Sequence, residues 1–200
     1  STVKARKVTV NHARTDIEKR AEEIDLSFAG EYLGDSAEVF LGSVKIGGGA
    51  VTNGKVPFDG SKFGNETGEK TLTVYSETGG TVNCFDMKIR AVTMIIRSAS
   101  DLDTVRIGQR NIDAKESIGG LYVLGNDIDL GGVKIGSNLN YSADTVPVYE
   151  PDFGFVGTFE GGDHTISNFT VGKGGLFGHV GKGALHLAEH NAVVKRRSVR

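Results

Sequence analysis

The 200-residue chain has no tryptophan, one cysteine and three prolines. With Cys84 alone, no intrachain disulfide can form, so burial and hydrogen bonding must hold the fold. A single cysteine leaves the compartment open, since many secreted proteins also lack disulfides. No apolar run approaches the roughly 18 residues that a spanning helix needs. The opening STVKARKVTV has no signal-peptide core. It fits either a chain that is not exported or one whose leader was removed before Ser1. A formal net charge of −2 gives no reason to expect nucleic acid as a partner. Aromatics make up 8% of the chain, so stacking surfaces for sugars are limited to Tyr and Phe.

Glycine is what the chain has in quantity, 29 residues of it. Set against so little proline, this composition asks for many turns with unusual backbone angles and favours an all-β fold. Lys4–Val10 reads as a strand. Thr15-Asp16-Ile17-Glu18 has the spacing of a capping box, and EKRAEEI behind it suits a short helix, a polar loop or an edge strand. Ile24–Phe28, Ala37–Leu41, Val44–Ile46 and Ala50–Val51 read as strands. Asn53-Gly54 is a hairpin turn, because both central positions of a type I′ turn need φ > 0, and Lys55–Phe58 is its return strand. Asp59–Gly68 reads as loop and Thr71–Tyr75 as a β-branched strand. Val82–Ile96 is long enough for two strands or one bent one. About seven short strands at close intervals predict an immunoglobulin-like β-sandwich over residues 1–97. Its usual tryptophan and cysteine pair are missing.

Ser98–Val105 changes character. Ser98 or Ser100 would cap one helical turn, with Asp101 and Asp103 at its positive end. Val105–Ile107, Leu121–Leu124 and Ile128–Leu130 read as short strands, and Asn138–Pro151 as a surface loop. Phe153–Gly178 then alternates tight glycine corners with very short apolar runs. Thr158-Phe159-Glu160 is one run, Gly161-Gly162-Asp163 a turn, and His164–Val171 a strand with Ile166, Phe169 and Val171 as its apolar members. Gly172–Gly175 turns again before Leu176-Phe177. Strands this short between corners this tight suit a parallel β-helix, in which each rung buries its side chains against its neighbours.

The sequence GTFEGGDHTISNFTV followed by GGLFGHVGKGA resembles the GLUG-type repeat of bacterial surface proteins. Phe155, Gly157, Thr158, Phe159, Gly161, His164, Thr165, Ile166, Asn168, Gly175, Leu176, Phe177 and Gly178 fill that pattern. GLYVLGNDIDLGG at Gly120–Gly132 resembles the rung that often precedes such a repeat, and FAGEYLGDSAEVFLG resembles the β-domains that accompany it. The likeness covers about the second half of the chain and ends after Ala184. It implies an extracellular or cell-surface protein whose leader has been removed, with a β-helix-like segment over residues 98–200. A solenoid needs about three repeats and a cap. The chain is therefore expected to be a fragment of a longer one, to fold residues 184–200 over its last rung, or to self-associate through its C-terminal end.

Several residue groups invite a chemical reading. His186, Glu189 and His190 match H-x-x-E-H, a zinc-peptidase pattern. That chemistry needs a third ligand well downstream, so a polar helical or frayed tail is the expectation. Asp127 and Asp129 suggest calcium, but the calcium repeat occurs once, and turn capping fits better. Glu160 and Asp163 flank a glycine corner and offer paired carboxylates to a glycosidase or lyase; their place in a repeat motif argues for rung architecture instead, with Asp163 closing the turn. His164 reads as a corner residue bonded to backbone. Gly47-Gly48-Gly49 and Gly172–Gly175 lack the Lys and Ser/Thr of a phosphate loop. Asn65 and Asn168 sit in glycosylation sequons that a bacterial protein would match by chance, and the basic tail Lys195–Arg200 reads as a solvated end.

The expected protein is a non-enzymatic surface module for adhesion or structure, with no catalytic residues, no metal site and no cofactor. Its expected partners are a host or cell-surface glycan or protein. The alternatives are a polysaccharide-active β-helix enzyme, supported by fold analogy, and a carbohydrate-binding module acting through sandwich loops or the Tyr141/Tyr149 loop.

Overall fold

The computed structural model describes residues 4–102, 120–135, 157–171 and 193–194. The expectations for Val105–Ile107, the Tyr141/Tyr149 loop, Leu176-Phe177, His186–His190 and Lys195–Arg200 lie outside them. The described residues are mostly strand, as the glycine-rich composition predicted. The chain divides into two compact units, Ser1–Val92 and Thr93–Arg200. Met94–Ile96 falls in the second unit, where it takes its hydrogen-bonding partners from later in the chain.

The first unit contains β1 (Arg6–Lys7), β2 (Thr15–Glu18), β3 (Glu23–Asp25), β4 (Ser36–Leu41), β5 (Val44–Ala50), β6 (Lys55–Pro57), β7 (Gly68–Thr78) and β8 (Thr81–Val92). Six of them form one sheet in the order β1-β8-β7-β4-β5, with β2 also pairing β8; β3 and β6 form a second, antiparallel sheet. Both early strands run parallel to β8, with Arg6 opposite Asn83 and Thr15 opposite Ile89. Side chains tie these parallel pairs across the seam. Arg90 grips Asp16 through two bonds of 2.8 and 2.7 Å, and Arg6 donates to Asn83 Oδ1 at 2.9 Å.

Strict alternation builds the core. On β7, Leu72, Val74 and Ser76 point inward; on β8, Asn83, Phe85, Met87, Ile89 and Ala91 do so. They pack with Ile24 of β3, Val56 of β6 and Phe58 in one apolar cluster. Full burial of each large side chain contributes about 1.5–3 kcal/mol. Two polar residues enter this interior with partners: Ser76 Oγ donates to Ser36 O, and Asn83 Nδ2 to Thr78 Oγ1.

Three local readings need correction. Thr15–Glu18 is a strand rather than a helix start, because β8 offers it a full parallel partner. Val44–Ala50 is one strand, carrying a bulge opposite Val39/Phe40. The strand read at Ile24–Phe28 ends at Asp25, where Asp25 Oδ1 accepts from Ser27 N and starts a 3-10 segment over Ser27–Tyr32. The Asn53-Gly54 turn forms as read, with φ of 52° and 77° and mutual Thr52–Lys55 backbone bonds. The strand it leads into pairs with β3.

The second unit contains β9 (Met94–Ile96), β10 (Leu121–Leu124), β11 (Ile128–Ile135), β12 (Thr158–Glu160), β13 (Thr165–Val171) and β14 (Val193–Val194). Every strand pair among its described residues is parallel. The orders are β12-β10-β9 and β11-β13-β14. Thus Tyr122 stands between Met94 and Phe159, and Ile166 between Ile128 and Val194. Val193–Val194 continues the β11–β13 sheet. Ile96, Leu102, Tyr122, Leu124, Ile128, Phe159, Ile166 and Phe169 form one buried cluster. Ser98 caps a helical turn over residues 99–102, accepting from Asp101 N at 3.1 Å, while Asp101 accepts from Arg97 N.

Candidate functional site

In the second unit, Asn126, Asp127 and Asp129 bond from one strand or corner to the next. Asn126 Nδ2 donates to Arg97 O at 2.8 Å. Asp127 Oδ1 accepts from Thr165 N at 2.8 Å and lies 3.5 Å from His164 Nδ1. Asp129 Oδ1 accepts from Gly131 N at 2.7 Å and from Asn168 Nδ2 at 2.9 Å. Those two donors hold the Asp129 carboxyl below the usual carboxylate range. Ile128 between them is buried, so alternation alone sends both carboxylates outward.

The backbone explains why these residue types stand here. Asn168 has φ of 57°, a left-handed angle that Asn tolerates far better than branched residues do. Opposite it, Gly131 and Gly132 take φ of 64° and 81°, where the β11–β13 register shifts between Asp129 and Val133. The two strands bend together. That bend lets Ile166 and Phe169, three residues apart, both point into the cluster, which simple alternation would forbid.

Asp127 and Asp129 are thus engaged by the following strand. Glu160 pairs in register with Val123, and Asp163 is exposed on the turn closed by His164 N to Gly161 O. Among the described residues no group of three His, Cys, Asp or Glu side chains could hold a metal. Gly47-Gly48-Gly49 lies within β5, where a Cβ on Gly48 would meet Ala37 O at 2.6 Å; packing demands a glycine there. In the second unit, burial pushes the Tyr122 phenol well above its usual pKa.

Sequence reading missed a depression of about 420 Å3 on the outer face of the six-stranded sheet. Glu38, Phe40, Gly42, Ser43, Thr73 and Tyr75 line it. Register brings them together: Glu38 stands opposite Tyr75, and Phe40 opposite Thr73. The Phe40 and Tyr75 rings meet edge to face, with centroids 5.7 Å apart and planes at 89°. The β5 bulge turns Ile46 inward and Lys45 outward, and Lys45 Nζ then donates to Glu38 Oε1 at 2.6 Å. Behind Tyr75 lies Cys84, its neighbour on β8. The charge that Cys84 would bear as a thiolate, and its hydrogen bond, raise the Tyr75 pKa. The signal in sequence was outward-facing aromatics at alternate strand positions. It becomes a site only once Glu38 and Tyr75, and Phe40 and Thr73, are brought into register across the β4–β7 pair.

No helix among the described residues is long and apolar enough to cross a membrane. Comparison of the chain with protein-family models, with curated proteins and with solved structures finds no match.

Proposed function

We propose that the chain is a non-enzymatic cell-surface module for adhesion or structure, built as an immunoglobulin-like sandwich followed by the start of a parallel β-helix. In the first unit, support comes from two sheets that share one core and from the antiparallel β4, β5, β7 and β8 pairings. In the second, support comes from exclusively parallel pairing among described strands and from one cluster holding Phe159 and Ile166 together. The resemblance to GLUG-type surface proteins supplies the cellular setting.

One observation carries the functional half. The outward-facing Asp127 and Asp129, the carboxylates that suggested a cation site, are taken up by bonds to the adjoining strand at Thr165 N and Asn168 Nδ2. A glycosidase or lyase needs carboxylates aimed at a substrate groove. Incubating the chain with a panel of polysaccharides and measuring new reducing ends is the test. The expected result is no release. Release that disappears in Glu160→Ala or Asp163→Ala would overturn the reading in favour of an enzyme. Beads coated with the chain are expected to adhere to glycan- or protein-coated surfaces above a bare-bead control.

A further inference from the structure

We infer that the Phe40–Tyr75 depression is a binding site for a neutral sugar residue of a glycan chain. The inference deepens the surface-module reading by naming a ligand class, and it rests on that reading for the presence of glycan near the protein.

The chemistry follows from the walls. A pyranose has an apolar face of C–H groups and an equatorial rim of hydroxyls. Aromatic side chains offer the first a large surface at low entropic cost, and a few polar groups orient the second. Here the two rings stand at 89°, so one presents a face where the other presents an edge. That makes a stepped notch, against which the apolar face of a pyranose can lie. Glu38 sits beside Tyr75 with Oε1 taken by Lys45, leaving Oε2 to accept a sugar hydroxyl. Thr73 Oγ1 reaches Asp86 only at 3.5 Å, so its hydroxyl can turn to a stronger partner. Ser43 adds a second hydroxyl from the tight β4–β5 turn.

Charge decides the ligand class. Glu38 is paired with Lys45, and Asp86, one strand further on, with Lys7 at 3.3 Å. The site therefore carries balanced charge and favours neither an acidic nor a basic ligand. The depression opens to solvent on a sheet face, which suits an internal residue of a longer chain entering from the side. Its volume lies near the lower end of the roughly 300–1,000 Å3 of small-ligand sites.

The test is an NMR titration of the full chain with neutral gluco-, manno- and xylo-hexaose, and with hexagalacturonate as an acidic probe. At least one neutral probe is expected to shift the amides of residues 38–43 and 73–75. Tyr75→Ala should weaken that binding at least tenfold. Ser43→Trp, which fills the notch and removes no packing, should abolish it while the rest of the spectrum stays unchanged. Shifts from no neutral probe, shifts from the acidic probe alone, or binding that survives Ser43→Trp would overturn the inference. Reducing-end release in the separate enzyme assay would sink the non-enzymatic reading and leave a Phe40–Tyr75 site standing.

Discussion

Asn168 donates through Nδ2 to Asp129 Oδ1 at 2.9 Å, across 39 positions of sequence. The bond joins the two residues at which β11 and β13 bend together. Asn168 supplies the left-handed backbone angle, and Asp129 fixes both its own glycine turn and the Asn168 side chain.

Replacing Asn168 separates these contributions. Asn168→Gly keeps the backbone angle and loses the side-chain bond. Asn168→Val also forces a β-branched residue to φ of 57°, at a further cost of about 1–2 kcal/mol. Native-state hydrogen exchange of the β11 and β13 amides should therefore rank wild type, Asn168→Gly and Asn168→Val in falling protection. Equal protection in the two variants would show that the angle carries no strain.

His12 and Asp129 each contribute an acid-side pH dependence. His12 stacks on Phe28 with centroids 4.0 Å apart, and its buried Nδ1 has no partner among the described residues. Burial lowers its pKa below 6.5. The unfolded chain then binds the proton first, so this contribution is whole above 6.5 and falls as pH drops through the folded value. Asp129, lowered from 3.8 by Gly131 N and Asn168, has the same sign in a more acidic window. Urea midpoints followed from pH 8 to pH 5 should fall for wild type and flatten in His12→Phe. An unchanged slope in that variant would remove His12 as the cause.

The two apolar clusters share no residue. Phe159→Ala should cost the second unit about 3–5 kcal/mol. Amides of β10, β12 and β13 should lose protection while those of Leu72, Val74 and Phe85 keep theirs. Uniform loss over both sets would mean that the units unfold as one.

Gly34 has no room for a methyl group. A Cβ there would lie 1.9 Å from Glu77 O, a backbone atom, whereas one on Gly64 meets nothing within 4 Å. Gly34→Ala is expected to destabilise the first unit by about 3 kcal/mol, since strand backbone must move. Gly64→Ala carries only the backbone strain of φ 60° with ψ −136°, a glycine region, at about 2 kcal/mol. Thermal melts of the two variants give the order directly.

Much of the architecture was legible because it rests on local rules. Alternation at Leu72–Ser76 and Phe85–Ala91 marks the buried face, Asn53-Gly54 can only turn, and Ser98 caps a helical turn. The errors fall where tertiary pairing overrides local preference. Thr15–Glu18 has helix-start spacing, yet β8 makes it a strand. Val44–Ala50 looks broken by its glycines, yet β4 holds it as one. The corner role of Asp127 and Asp129 was readable from outward alternation. Their partners Thr165 and Asn168 were not, since those depend on which rung lies alongside. The Phe40–Tyr75 depression was invisible for the same reason: no spacing rule links residues brought together by a turn and a register.

The parallel seam of β1 and β2 on β8 has a mechanical consequence. Tension applied at the two ends of this unit would pull the early strands and the last strand in opposite directions along a shared axis. Such a joint resists in shear. The backbone bonds at Arg6–Lys7 and Thr15–Glu18, and the Asp16–Arg90 fork, must stretch at once and cannot open one after another like a zip. A protein tethered at one end and tugged at the other would meet its stiffest resistance there.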